Sequence, residues 1–248
     1  MSVEATGIQN YLARANETFT PITVTLELSL GCNLRCHHCY NFDRTKTMKQ
    51  ALPQHRELSD AEILAVIDQI PSTGALFVSF TGGEPLSHPQ FFSFVERARQ
   101  NHLAVKVKTN GTLLDQKRVE RLKELNVFDF DISVYGANAK EHDLFTRKAG
   151  SFDKTLQGLK NLKTAGLLGN ISFILNKLNY KDIPEMQKIA KELEFRHVFS
   201  LQLTQRNDGT DPTAQFGLGA KELEWIYQHD EQGLFTSFYN ETPSVQCA

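Results

Sequence analysis

Three cysteines fall close together in "GCNLRCHHCYN" (31–41): Cys32, Cys36 and Cys39, with three residues in the first gap and two in the second. Thiolates are soft metal ligands and redox-active nucleophiles, so several chemistries are open to such a cluster. A zinc ion would need a fourth ligand from His37, His38 or His55, whereas structural zinc loops draw paired ligands from two chain segments. A dithiol redox pair would use Cys36 and Cys39 and leave Cys32 idle. A cubane [4Fe–4S] cluster is normally held by four cysteines; held by three, it keeps one iron open to a small molecule. A disulfide framework fits poorly, because the remaining cysteine, Cys247, lies at the far end of the chain.

The elements around these residues alternate. "ITVTLELSL" (22–30) has the period of a half-buried strand and runs straight into the cysteines. After a polar, basic loop (44–57), Ser59 and Glu62 form the capping box of a helix over 58–70. "ALFVSFTGGEPL" is a second strand ending in a glycine pair, and Pro89 opens a helix with Phe91, Phe94, Val95 and Ala98 on one face. Further strands are read at 104–114, 127–136, 170–177 and 197–206, with helices at 115–126, 152–165, 183–195 and 221–228. Strand and helix in strict alternation call for parallel pairing through right-handed crossovers. No Gly-x-Gly-x-x-Gly follows the first strand, which weakens a dinucleotide-binding sheet. The chain shows two units fewer than a complete eight-unit barrel. The expected fold is therefore α/β: an open partial (β/α)6 TIM-like barrel of parallel strands with outer helices. The expected organisation is an N-terminal extension (1–21), the barrel core (22–230) and a C-terminal tail (231–248). The unusual residues then gather at the C-terminal ends of the strands, where barrels of this kind assemble their sites.

Composition narrows the setting. The 248 residues carry 27 basic and 29 acidic side chains, so no charge excess points to nucleic acid as a partner. No apolar run approaches the roughly 20 residues that cross a bilayer, and the polar N-terminus lacks the apolar core of a secretion signal. A cytoplasmic setting follows, where thiols stay reduced and clustered cysteines serve as ligands or catalysts.

Cys32-x3-Cys36-x2-Cys39 at the end of a first strand resembles the signature of the radical S-adenosylmethionine (radical SAM) superfamily, and "TGGEP" (81–85) on the second strand resembles its second mark. The resemblance implies a [4Fe–4S] cluster on the three cysteines, with S-adenosylmethionine (SAM) chelating the open iron. It implies reductive cleavage of SAM to a 5′-deoxyadenosyl radical that abstracts a hydrogen atom. Thr81, Gly82, Gly83, Glu84 and Pro85 are then expected beside the SAM amino group, through backbone carbonyls and the Glu84 carboxylate. Ser133, Asn110, Asn176 and Thr204 are expected as further polar contacts to SAM, and Arg147 is the nearest match to an arginine that some relatives place on its carboxylate. His38 stands where the family often has an aromatic side chain, and either shields the cluster or simply packs beside the sulfurs.

"DISVYG" followed by "EHDLFTRKAGSF" resembles peptide- and protein-modifying members of the superfamily, which continue into a SPASM or twitch domain with auxiliary clusters. Cys247, in "PSVQCA", resembles the first ligand of such an auxiliary [4Fe–4S] cluster; a tail cysteine is the other reading. The implied partners are a peptide or protein substrate, engaged through a leader peptide, and a flavodoxin- or ferredoxin-like electron donor. A small-molecule substrate within the same superfamily and a non-enzymatic zinc- or cluster-binding module are the alternatives. Arg44, Lys46, Lys49 and Arg56 are expected to make a solvated cationic loop. Tyr135 reads as an interior tyrosine.

Overall fold

The computed structural model describes residues 7–230 and 233–235. Six strands, β1 (Thr23–Glu27), β2 (Phe77–Thr81), β3 (Ala104–Thr109), β4 (Asp129–Val134), β5 (Gly169–Ile174) and β6 (Arg196–Ser200), pair in chain order, every pair parallel. The fold is the expected open α/β partial barrel, with no β6–β1 pairing among the described residues.

Each strand alternates between two environments. Val78, Phe80, Val105, Val107, Phe130, Ile132, Ile171 and Phe173 point to the helical layer and are fully buried. They meet apolar stripes from α3 (Asp60–Gln69), α4 (Phe91–Gln100), α5 (Gln116–Glu124), α7 (Ser151–Ala165) and α8 (Ile183–Leu193), including Ile63, Phe94, Leu122, Leu159 and Met186. Phe91, Phe94, Val95 and Ala98 share the buried face of α4 as their spacing predicts. The opposite face of the sheet is polar. Thr25, Glu27, Ser79, Lys106, Lys108, Asp131 and Ser172 take the alternate positions on β1 to β5. A complete barrel fills its interior with branched apolar layers; this one keeps a hydrophilic lumen.

Several boundaries differ from the sequence expectation. Helix α4 starts at Phe91 with Gln90 as N-cap, because a single 3₁₀ turn (Pro85–Ser87) precedes it and Pro89 lies outside the helix. β6 stops at Ser200 rather than continuing to 206, and the chain beyond it crosses toward the cysteines. An additional helix, α6 (Ala139–Thr146), follows β4, capped by the Asn138 side chain accepting from Glu141 N at 3.1 Å. The N-terminal stretch contains α1 (Gly7–Glu17), fastened by Tyr11 Oη donating to the Gly74 carbonyl at 2.5 Å, and a single helical turn, α2 (Met48–Ala51), follows the cysteine loop.

The entry to β4 gives a direct test. Phe130 is fully buried, whereas Phe128, two residues before it, is 54% exposed. Phe130→Ala is expected to cost about 3–5 kcal/mol in urea unfolding, and Phe128→Ala about 0.5 kcal/mol or less. Equal costs would mean that Phe130 is not packed against the helical layer.

Candidate active site

The cysteine loop follows β1 and has little hydrogen bonding of its own beyond Cys39 N donating to the Cys36 carbonyl at 3.3 Å. Its shape comes from its neighbours. Arg35 N and His37 N donate to the Thr146 and Phe145 carbonyls at 3.1 and 3.0 Å, filling acceptors that the end of α6 leaves open. Asp143, on α6, accepts from Gly150 N, Ser151 Oγ and Phe152 N, which joins α6 to α7. The segment after β6 straps the loop from above. Arg206 Nη2 donates to the His37 carbonyl at 2.5 Å, Asn207 N to the Tyr40 carbonyl at 2.8 Å, and Asp208 accepts from Asp43 N at 2.8 Å.

The glycine pair after β2 lies directly against this loop. Gly83 N donates to the Ser29 carbonyl at 2.7 Å and Glu84 N to the Gly31 carbonyl at 2.8 Å. Gly82 has φ +122°, and a Cβ on Gly83 would overlap the Gly31 carbonyl, so side chains at this crossing are excluded sterically. Glu84 then turns inward. Its carboxylate accepts from Thr109 Oγ1 (2.8 Å), Asn110 N (2.8 Å) and Leu86 N (3.1 Å), tying the exit of β2 to the exit of β3. Asn110 continues the chain of contacts, its Nδ2 donating to Asn33 Oδ1 at 2.9 Å beside Cys32.

A cavity of about 370 Å³ opens between these elements. Cys32, Cys36 and Cys39 line one side and Thr81, Gly82, Gly83, Asn110 and Ser133 the other. Lumen residues Thr25, Glu27 and Lys108 extend it down the barrel. Burial raises the pKa of Cys32, and raises that of Cys36 well above the thiol range, with the neighbouring thiolates adding to both. Three thiolates can therefore share this pocket only when cationic charge compensates them. Among the described residues, no three His, Cys, Asp or Glu side chains converge closely enough to hold a single ion. Three thiols lining one cavity are the soft donor set that an iron–sulfur cluster takes. Burial, with Arg206 and His37 nearby, pushes His38 down to about 3, so its ring is neutral, and it stacks on Phe145 at 4.8 Å.

The profile of the Radical SAM superfamily matches residues 26–190. The chain belongs to the Radical SAM superfamily. Among curated members it is 33% identical over 217 residues to the AdoMet-dependent heme synthase of Methanosarcina barkeri, covering 87% of this chain and 60% of that one. It is 30% identical over 235 residues to the mycofactocin maturase MftC of Mycobacterium tuberculosis, covering 91% and 57%. The chain thus spans about three fifths of the length of these relatives. In fold it resembles Streptococcus suis SuiB (TM-score 0.66, 16% identity, covering 94% of this chain and 54% of that one). It also resembles anSMEcpe with bound AdoMet and a peptide (TM-score 0.69, 21% identity, covering 89% and 62%).

Within this radical SAM frame, the expected site residues separate into groups. The three cysteines, Thr81, Gly82, Gly83, Asn110 and Ser133 border one cavity. Glu84 and Pro85 lie beneath it, both buried, with the Glu84 carboxylate spent on the β3 exit. Asn176 is buried in the turn after β5, where its Oδ1 accepts from Leu178 N at 2.9 Å. Thr204 is exposed on the loop beyond β6, and Arg147 is an exposed C-cap of α6 in the left-handed region (φ 56°). Neither borders the cavity. Cys247 lies outside the described residues. Sequence reasoning missed Thr25, Glu27 and Lys108; the period-two pattern of β1 and β3, read for its inward face, is the signal that marks them.

Glu84 carries a pH signature. Burial pushes its carboxyl up to about 7 from an ordinary 4.5, against the pull of its three donors. The folded chain holds this proton to higher pH than the unfolded chain, so Glu84 contributes less stability as pH climbs from about 4.5 to about 7. E84Q cannot lose a proton, and its amide introduces a donor where Asn110 N also donates. Its stability deficit in urea unfolding is expected to be largest near pH ~5 and to shrink by pH ~8. A deficit that grows with pH would contradict the assignment.

Proposed function

We propose that this chain is the catalytic barrel of a radical SAM enzyme that modifies a peptide or protein side chain by forming a crosslink, epimerising or oxidising a residue. The observation that carries the reading is the shared cavity. Three thiols on the β1 exit face the glycine turn of the β2 exit, at the mouth of a polar lumen. Cys32, Cys36 and Cys39 would hold a [4Fe–4S] cluster, and the carbonyl edge at Gly82 lies where a SAM amino group needs acceptors. When bound, the cluster and SAM supply one-electron cleavage of the S–C5′ bond and hydrogen-atom abstraction from an unactivated C–H bond.

The chain's own residues supply placement and shielding. Tyr135, Phe145 and Phe216 form a small apolar cluster, with Cys36 packed against it, and the strap after β6 covers the same side. This excludes water from the sulfurs. Tyr40 Oη donates to Glu27 Oε1 and lies 3.4 Å from the Gly82 carbonyl, fixing the lumen edge of β1 beside the SAM position. Among the described residues no strand pairs with the outer edges of β1 and β6, which leaves the lumen open along one side and suits entry of an extended peptide. The maturase name of the MftC relative and the precursor peptide bound by SuiB favour a peptide substrate, which a leader peptide would deliver.

The heme synthase relative favours a second reading, an anionic small molecule. Lys108 on the cavity wall supports it, since its register neighbour Asp131 is engaged by Ser172 at 2.5 Å. No helix among the described residues is long and apolar enough to cross a membrane. A reducing cytoplasm with a flavodoxin- or ferredoxin-like donor suits thiol ligands of this kind. An auxiliary cluster beginning at Cys247 belongs to the same proposal.

Anaerobic reconstitution with iron and sulfide is expected to give a brown protein that converts SAM to 5′-deoxyadenosine with dithionite. C32A, C36A and C39A are each expected to lose cluster and cleavage together. A colourless protein holding one zinc ion would refute the proposal. Turnover of a short peptide encoded beside this chain would select the first substrate reading, and turnover of a carboxylated small molecule the second.

A further inference from the structure

Arg44 departs from the solvated loop expected of its neighbours. Its guanidinium turns inward, lies over the Phe42 ring at 4.3 Å, and borders the cysteine cavity. Nε donates to Cys39 Sγ at 3.0 Å and Nη1 to the Leu30 carbonyl at 2.7 Å. Nη2 is buried with no hydrogen-bond partner among the described residues. Leu30 is itself pinned from outside, its N–H donating to Glu57 Oε1 at 2.7 Å, so the carbonyl that orients Arg44 is fixed. The result is a rigid planar cation with one N–H aimed at a thiolate and another donor left for a bound anionic group. A lysine could not reproduce this, having a point charge in place of a fork and no flat face for the phenylalanine ring.

We infer that Arg44 is a positioning residue that raises the reduction potential of the cluster through its Nε–H···Sγ bond to Cys39. The inference rests on the cluster reading above. Hydrogen bonds to ligand sulfurs and local net charge both set the potential of an iron–sulfur centre. Reduction brings in one electron from a low-potential donor, makes and breaks no bond, and adds one negative charge. A guanidinium on the Cys39 sulfur favours that more negative state.

The test uses the reconstituted full chain and reads the potential by EPR-monitored titration, with dithionite as reductant. R44Q is expected to shift to lower potential at unchanged iron content, R44K to fall between, and K49Q, an exposed charge on the same loop, to stay near the unmutated value. An unmoved R44Q, or a K49Q shift as large as that of R44Q, would overturn the inference. Should R44Q fail to hold iron, the R44K shift decides in the same way. Should neither hold iron, unmutated protein carrying arginine labelled with the heavy nitrogen isotope is read by pulsed EPR. Nitrogen coupling to the reduced cluster is expected, and its absence overturns the inference. Failure of the unmutated protein to take up iron would instead sink the cluster reading itself.

Discussion

The site depends on one contact, the crossing of the β2 exit over the β1 exit. Gly83 N and Glu84 N reach the Ser29 and Gly31 carbonyls only because nothing larger than hydrogen occupies Gly83 on that side. The crossing sets the height of the cysteine loop above the lumen. It also delivers Glu84 to the β3 exit, where one carboxylate takes three donors from two neighbouring turns. Asn110 then reaches back to Asn33 next to Cys32. The exits of three successive strands are thereby joined, and at the β2–β3 end the joining groups, Glu84, Thr109 and Asn110, are buried with no solvent to fall back on, which makes that part rigid.

The electrostatic consequence follows from that rigidity. Burial makes Cys32 and Cys36 resist ionising, and the chain offers limited compensation of its own: a guanidinium on Cys39 and a backbone N–H, from Leu34, 3.4 Å from the Cys32 sulfur. The cationic cluster of the proposed function would supply the compensation that free thiolates lack there. Around it the aromatic wall of His38, Tyr135 and Phe145 stays uncharged, since burial keeps the histidine neutral and the tyrosine protonated.

Much of this was legible in the sequence, for reasons that also explain what was not. Period-two alternation with separate helical stripes predicts a parallel α/β barrel, and strand polarity alone puts "GCNLRCHHCY", "TGGEP" and "TNG" at one end. Helix α6 escaped because "AKEHDLFT" has little apolar periodicity; it is held by the Asn138 cap, by Asp143 and by the cysteine loop resting on its last carbonyls. Glu84 looked like a ligand-facing acid because two of its three partners, Thr109 and Asn110, lie more than twenty residues onward, in a turn that only the folded sheet brings near. Arg44 looked like a surface charge because its neighbours are surface charges; the ring of Phe42 and the Leu30 carbonyl are what turn it inward.

The strap after β6 has a consequence for biogenesis. Arg206 and Asp208 grip His37 and Asp43 across sequence separations of 169 and 165 residues. During vectorial synthesis the three cysteines leave the ribosome long before the segment that holds their loop down. Until residue 208 has emerged and β6 has paired, the thiols sit on a loop with one of its supports missing, open to oxidants and to stray metal ions. Loading of the proposed cluster therefore waits until residue 208 has emerged, and the long interval before it is a window in which the thiols depend on a reducing milieu.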